Sequence, residues 1–191
     1  IAQRPAKHPF CYWFGTQDPH RPYVEGSGLA SGMDLSQIDV PAWLPDTPEV
    51  RGDIADYRYE VERFDREIGE LLAELDRIGE LENTLIVVTS DNGMPFPRAK
   101  ATLYDAGTNM PLIVYWKGHL RPRKSLAFVS FIDFAPTFLE VAQLKKPVTM
   151  EGKSLVPLLM GQNDDHRAHV FLERERHAHV REGNLSYPAR A

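Results

Sequence analysis

The feature that most limits how this chain can fold is one apolar stripe between Asp53 and Ile78. Apolar side chains recur at alternating intervals of three and four residues, the period of one face of an α-helix. Asp53 is predicted as the N-cap and Gly79 as the residue that ends the helix. The charged opposite face is predicted to be solvated. The stripe consists of Ile54, Tyr57, Val61, Phe64, Ile68, Leu71, Leu75 and Ile78.

Two short apolar runs, Leu85–Thr89 and Leu112–Trp116, follow the predicted helix. Continuous runs rich in β-branched residues are typical of parallel strands that are buried on both faces. Strands that alternate with helices predict an α/β fold with a mainly parallel sheet flanked by helices. The other predicted elements are a strand at Phe10–Phe14, a helix at Asp133–Leu144 with Asp133 as its N-cap, and a short helix or turn at Ser154–Met160.

The composition is that of a globular protein and excludes several functions. Of the 191 residues, 42% are hydrophobic and 26% are charged, and the net charge is -5. This charge offers no basic face to nucleic acid, and no apolar run is long enough to cross a bilayer, so we expect no nucleic-acid or membrane partner. The single cysteine, Cys11, excludes an internal disulfide and is predicted to be a buried structural thiol.

A long, polar, proline-rich stretch, Thr16–Pro48, precedes the predicted helix. A loop of this length is usually functional or disordered. It contains residues 18–23 (DPHRPY), in which two prolines limit the directions that His20 can take. His20 is therefore a candidate to donate a proton or a hydrogen bond to a leaving group. The alternative is an ordinary exposed histidine, which is the commoner case for an isolated one.

The strongest candidate site is Asp91-Asn92, directly after the Leu85–Thr89 run. Ligands of open α/β sheets bind beyond the carboxyl ends of strands. A carboxylate and an amide oxygen are ligands that Ca²⁺ or Mg²⁺ prefers. The alternative is that Asn92-Gly93 is only a turn. Lys100 is a candidate contact for a tetrahedral oxyanion, and its alternative is a surface lysine.

Four segments together resemble the sulfatases, a branch of the alkaline phosphatase superfamily. The combination is specific, although each segment alone is weak, and the resemblance covers nearly the whole chain. Within the family, residues 91–97 (DNGMPFP) and 186–190 (SYPAR) are most similar to the heparan N-sulfatases, or sulfamidases. The four segments are 18–23 (DPHRPY), 89–93 (TSDNG), 129–137 (VSFIDFAPT) and 152–159 (GKSLVPLL).

The resemblance implies a role for each candidate residue. Asp91 and Asn92 would bind Ca²⁺, with Mg²⁺ as the alternative ion. His20 would contact the sulfate and the leaving group, and Lys100 would stand where the family has a sulfate-binding cation. The late residues His177, His179 and Arg190 would reach the mouth of the pocket and select the substrate, or else be ordinary surface residues.

The resemblance also implies a division into domains and a catalytic nucleophile that lies outside this chain. Residues 1–145 would be the later part of the catalytic α/β domain, and residues 146–191 the start of a small C-terminal α+β subdomain. The family's nucleophile is a formylglycine made within Cys/Ser-x-Pro-x-Arg, and nothing before residue 18 fits that pattern. Ser186 does fit, but it follows the other segments instead of preceding them, so we interpret it as a chance match. Because the chain begins at Ile1 without a methionine, we expect it to be part of a longer parent protein that supplies the nucleophile.

The expected function of the parent protein is calcium-dependent hydrolysis of a sulfate ester or sulfamate on a sugar. Two alternatives stay open: a phosphodiester or phosphonate monoester hydrolase of the same superfamily, and a non-catalytic sulfatase-like fragment. A partial sheet exposes strand edges, so we expect the isolated chain to be unstable or to form a homo-oligomer. The resemblance implies a periplasmic, secreted or lysosomal location, and the sequence itself leaves a cytoplasmic location open.

Overall fold

The computed structural model describes residues 4–5 and 8–173. Among these residues, no helix is both long and apolar enough to span a bilayer. The helices are α1 (Ser27–Ala30), α2 (Pro48–Arg77), α3 (Asp105–Thr108), α4 (Phe134–Val141) and α5 (Val156–Leu159), and the strands are β1 (Ile86–Thr89) and β2 (Leu112–Tyr115). Short 3-10 turns lie at Leu35–Gln37, Leu81–Asn83 and Phe131–Asp133.

The long amphipathic helix predicted from the apolar stripe is confirmed as α2, but its predicted start is wrong. The N-cap is Thr47, whose side-chain oxygen accepts a hydrogen bond from the backbone N–H of Val50 at 3.4 Å. Pro48 occupies the first turn, where its fixed φ favours the helix and its missing N–H costs nothing. Asp53 is thereby free to make a different contact, described below.

The two strands pair in the direction opposite to the one expected. β1 and β2 are antiparallel, with Thr89 opposite Leu112 and Ile86 opposite Tyr115, so the prediction that these strands run parallel is wrong. Segment 90–111 holds only the short helix α3 and folds back on itself, instead of crossing over as a parallel connection must. The Thr89 hydroxyl donates to the carbonyl of Pro111 at 2.8 Å and joins the two ends of this segment. The segment therefore leaves and returns at one end of the strand pair.

The strands are also less buried than predicted. β1 is half-buried along its length, and β2 alternates half-buried with exposed residues; Ile113 is 61% exposed. Residues 10–14 form no strand, and Trp13 is 92% exposed. Cys11, predicted as a buried thiol, is exposed. The shared reason is that no element of the described residues covers these side chains.

The long proline-rich loop is packed against the start of α2. The buried Asp56 carboxylate accepts hydrogen bonds from the backbone N–H groups of Gly26 (2.9 Å) and Gly28 (2.8 Å). A Cβ on Gly28 would lie 2.4 Å from the backbone of Ala55, so only glycine allows the loop to approach this closely. The resulting core is formed by Ile38, Ile54, Ala55 and Phe96.

A second packed region joins two of the segments that carry the family resemblance. Asp133 lies at the N-cap position of α4, as predicted, but its side chain does not cap the helix. Its carboxylate, which is fully buried, accepts from the backbone N–H of Lys153 at 2.8 Å and is paired with Arg167 and with His166 Nε2 at 3.1 Å. A Cβ on Gly152 would lie 1.8 Å from the carbonyl oxygen of Ile132. Segments 129–137 and 152–159 therefore form a structural joint, and a domain boundary near residue 145 stays a prediction.

Candidate active site

The Asp91-Asn92 pair follows β1 directly, at the strand end where segment 90–111 begins. Asp91 is exposed and Asn92 is half-buried. The Ser90 hydroxyl donates to the carbonyl of Asn92 at 2.8 Å and tightens this turn. The backbone bends at Asp91-Asn92 and leaves the Asp91 carboxylate accessible to a ligand, so the turn and the metal-binding interpretations both stay predictions.

Gly93 fixes how the turn packs on α3. A Cβ at this position would lie 2.2 Å from the carbonyl oxygen of Ala106 and 2.8 Å from the Cα of Gly107. Both atoms belong to the backbone and cannot swing aside as a flexible side chain would. The absence of a side chain at Gly93 therefore decides where Asp91 and Asn92 lie.

We expect Gly93→Ala to lower the free energy of unfolding of the parent protein by about 1–3 kcal/mol, because the added methyl group must displace backbone. Gly69→Ala is the matched control, since Gly69 lies within α2 and a Cβ there meets nothing within 4 Å. The control should be neutral or stabilising by about 0.5–1 kcal/mol. Urea denaturation measures both variants, and equal effects would contradict the packing argument.

Lys100 lies on the same segment and is tied to its first turn. Its backbone N–H donates to the carbonyl of Met94 at 3.0 Å, and the backbone N–H of Phe96 donates to the same oxygen at 2.8 Å. The side chain of Lys100 is half-buried. The chain therefore doubles back between residues 94 and 100 and places the backbone of Lys100 beside the residues that follow Asn92.

His20 is exposed, and its ring orientation is fixed by the backbone. Its Nδ1 lies 2.7 Å from the carbonyl oxygen of Arg21. A carbonyl oxygen only accepts hydrogen bonds, so Nδ1 carries the hydrogen. Nε2 is then the nitrogen left to exchange a proton with a bound molecule.

The loop around His20 is held from both sides. The Tyr23 hydroxyl donates to the carbonyl of Pro19 at 3.2 Å, and burial raises the pKa of Tyr23 so that it keeps this proton. Asp18 forms an ion pair with Arg63 of α2, and Arg63 also pairs with Glu60. Burial, and after it the nearby Asp18 carboxyl, raises the pKa of Glu60. These contacts attach segment 18–23 to the long helix.

The structure brings the two candidate segments together through a residue that the sequence analysis did not single out. Arg21 donates from Nε to the carbonyl of Pro95 at 3.1 Å and forms a two-pronged ion pair with Asp53 on α2. Its position in the sequence could have indicated this role, because Arg21 lies between His20 and Pro22 in the loop that contains a candidate catalytic histidine.

The donors present supply part of a site for a hard cation. Asp91 offers a carboxylate and Asn92 an amide oxygen, which suits Ca²⁺ or Mg²⁺. Calcium takes about six to eight oxygen ligands. Within residues 4–5 and 8–173, no group of three or more histidine, cysteine, aspartate or glutamate residues could hold a metal ion. A complete site would therefore need further ligands beyond these residues.

The predicted substrate-selecting residues His177, His179 and Arg190, and Ser186, lie outside the described part of the chain.

Solved structures define the class of fold. A protein solved in complex with its substrate D-glucosamine-2-N,6-O-disulfate matches with a TM-score of 0.54 and 36% identity, over 61% of this chain and 24% of that one. The phosphonate monoester hydrolase of Silicibacter pomeroyi matches with a TM-score of 0.52 and 25% identity, over 80% of this chain and 33% of that one. The chain is thus part of an α/β fold of the alkaline-phosphatase-like class, as predicted from the sequence.

The family model named Sulfatase matches residues 1–144, and the chain belongs to the sulfatase family. It is 33% identical to human N-sulphoglucosamine sulphohydrolase over 96% of this chain and 42% of that protein. It is 28% identical to human arylsulfatase A over 85% of this chain and 31% of that protein. The N-acetylglucosamine-6-O-sulfatase of Bacteroides thetaiotaomicron is 38% identical over 54% of this chain and 20% of that protein. The chain therefore spans less than half the length of these curated relatives, and the resemblance to the sulfatase family stated from the sequence is confirmed.

Proposed function

We propose that the parent protein, meaning the complete gene product that includes this chain, is a hydrolase that cleaves sulfate esters or sulfamates on sugars. The observation that carries the proposal is the meeting of the His20 loop with the segment that bears Asp91, Asn92 and Lys100, through Arg21 and Pro95. Membership of the sulfatase family supports it. So do the relatives named as acting on sulfated glucosamines and the neighbour solved with a disulfated glucosamine.

In this proposal Asp91 and Asn92 would hold a divalent cation, Ca²⁺ or Mg²⁺, together with ligands from outside this chain. The bound cation would stabilise negative charge on the nonbridging oxygens of the sulfate. The Lys100 ammonium would bind one of those oxygens as a point charge. A formylglycine outside this chain would supply the attacking oxygen.

His20 would act on the leaving group. As the bond between sulfur and the leaving oxygen or nitrogen breaks, the electron pair goes to the leaving atom, and protonated Nε2 would donate its proton there. The hydrogen bond from Nδ1 to the carbonyl of Arg21 would keep Nε2 directed outward during this transfer. Sugar alkoxides are poor leaving groups, so this proton matters most for a sugar sulfate.

Leaving-group dependence tests the role of His20. In the parent protein, His20→Ala is expected to lower kcat by about 10²–10³-fold on a sugar sulfate, within the range of general acid catalysis. The loss should be far smaller on an aryl sulfate, because a phenolate leaves without a proton. His119→Ala is the matched control, since His119 is also exposed and stacks on Trp116 beyond the other end of β2. An equal loss on both substrates would contradict the assignment.

A second candidate function is hydrolysis of phosphonate monoesters, which the solved neighbour from Silicibacter pomeroyi favours by covering 80% of this chain. Comparison of an aryl sulfate with an aryl phosphonate on the parent protein separates the two. Preference for the sulfate by kcat/KM, lost with a chelator and restored by Ca²⁺, is the expected result. Preference for the phosphonate would overturn the proposed function in favour of the second one.

A further inference from the structure

We propose that Arg21 is a positioning residue that holds His20 at a fixed distance from the segment carrying Asp91, Asn92 and Lys100. The inference rests on the proposed function, because it assigns Arg21 a part in the same reaction. It adds a residue whose side chain need not touch the substrate. The structure provides three sets of contacts that support it.

The first set anchors Arg21 to the long helix. Its guanidinium donates from Nη1 to Asp53 Oδ1 at 2.8 Å and from Nη2 to Asp53 Oδ2. The hydrogen bond that Arg21 donates to Asp53 is the main cause that raises the pKa of Arg21, so the charge is permanent. A two-pronged pair fixes the plane of the guanidinium as well as its position. Helix α2 thus sets where the Arg21 side chain lies.

The second set connects Arg21 to the segment that follows Asn92. Nε donates to the carbonyl of Pro95 at 3.1 Å. The guanidinium carbon lies 5.0 Å from the ring centroid of Phe96 and 4.6 Å from that of Tyr23, within the range of cation–π contacts. Phe96 is 6% exposed and belongs to the core. One side chain therefore contacts α2, the His20 loop and the Asp91 segment at once.

The third contact runs through the backbone of the same residue. The carbonyl of Arg21 accepts the hydrogen bond from His20 Nδ1 that orients the imidazole. A shift of the Arg21 backbone that follows loss of its side-chain contacts with Asp53 and Pro95 would therefore turn Nε2 of His20 as well. Misplacement of a reacting group by about 1 Å can cost on the order of a hundredfold in rate.

Exposure distinguishes this role from a purely structural one. The side chains of Arg21 and Asp53 are each 39% exposed. An ion pair so open to solvent contributes little to global stability, because water screens it. Loss of the pair should therefore alter the geometry of the site more than the free energy of unfolding.

The test compares Arg21→Lys with Arg77→Lys in the parent protein. Lysine keeps the charge but cannot make the two-pronged pair together with the hydrogen bond to Pro95. Arg77 is the matched control, because it forms a comparable two-pronged pair with Glu74 on the surface of the same helix. For Arg21→Lys we expect kcat on a sugar sulfate to fall by about ten- to a hundredfold, with KM and the urea unfolding midpoint nearly unchanged. Arg77→Lys should keep wild-type kcat.

A double-mutant cycle with Asp53→Asn adds a readout that a structural role would not move. If Asp53 acts through Arg21, then adding Asp53→Asn to Arg21→Lys should lower kcat by less than twofold more. Wild-type kcat in Arg21→Lys, or a loss that only follows the loss of folded protein, would overturn the positioning role and leave the proposed function intact. A wild-type parent protein that hydrolyses neither sulfate nor phosphonate esters would overturn both.

Discussion

Replacement of Asp91 by alanine in the parent protein is expected to lower kcat/KM for sulfate ester hydrolysis on the order of a thousandfold. The estimate comes from the loss of one preorganised charge-stabilising group in an active site, which costs about 10²–10³-fold, and from the weaker hold on the metal ion. If Asp91 binds calcium as proposed, the calcium content measured by atomic emission should fall together with the activity. Fold should persist, because Asp91 is exposed and its side chain supports no neighbour among the described residues.

Asp105→Ala is the matched control for this prediction. Asp105 is also an exposed aspartate of segment 90–111, and among the described residues its side chain accepts hydrogen bonds only from Asn109, which directly follows α3. The control should keep both its calcium and its activity. If Asp91→Ala retained full calcium content and wild-type kcat/KM, Asp91 would be an ordinary turn residue and the proposed metal site would be wrong.

Replacement of Asp133 by alanine is expected to destabilise the parent protein by about 3–5 kcal/mol, the range for breaking a buried ion pair from one side. The Asp133 side chain is fully buried, and its removal leaves Arg167, His166 and the backbone N–H of Lys153 without their acceptor. Asp164→Ala removes an aspartate from another ion pair, with Arg123, but the Asp164 side chain is 80% exposed. That control should cost less than about 1 kcal/mol. Similar urea midpoints for the two variants would refute the argument.

The same carboxylate makes a directional prediction about pH. Burial alone would raise the pKa of Asp133, but hydrogen bonds from Arg167, the backbone of Lys153 and Ser130, and His166 outweigh it and hold the pKa well below its usual range. A carboxyl with a lowered folded-state pKa stabilises the fold above its unfolded pKa of about 3.9 and loses that contribution as the pH falls further. The stability difference between wild type and Asp133→Ala should therefore be constant above that pH and shrink below it.

The sequence determined the local elements well where one physical cause dominated. The apolar stripe of 53–78 was enough for α2, because a period of three and four residues fits only a helix. The apolar runs at 85–89 and 112–116 were enough to predict the positions of β1 and β2. The start of α2 was missed, because Thr47 and Pro48 begin the helix before the stripe does. The direction of strand pairing was missed because both directions use the same β-branched residues.

The candidate site also has a part that the sequence identified and a part that only the tertiary contacts revealed. Residue type and order were enough to single out His20, Asp91, Asn92 and Lys100, since their chemistry is carried by individual side chains. Their catalytic and metal-binding roles stay predictions. Arg21 was not singled out, because its importance lies in contacts with Asp53 and Pro95 that are distant along the chain. Asp133 was predicted as a helix cap, and only its partners at 153 and 166–167 reveal a buried acceptor.

By itself, then, the sequence determined the amphipathic helix α2, the two short strands, the identity of the candidate side chains and the resemblance to sulfatases. The tertiary structure decided the antiparallel pairing, the docking of the proline-rich loop on α2 and the approach of the His20 loop to the Asp91 segment. The physical reason is distance along the chain. Helix period and turn chemistry act between near neighbours, whereas the contacts of Arg21 and Asp133 join residues that only the folded chain brings together.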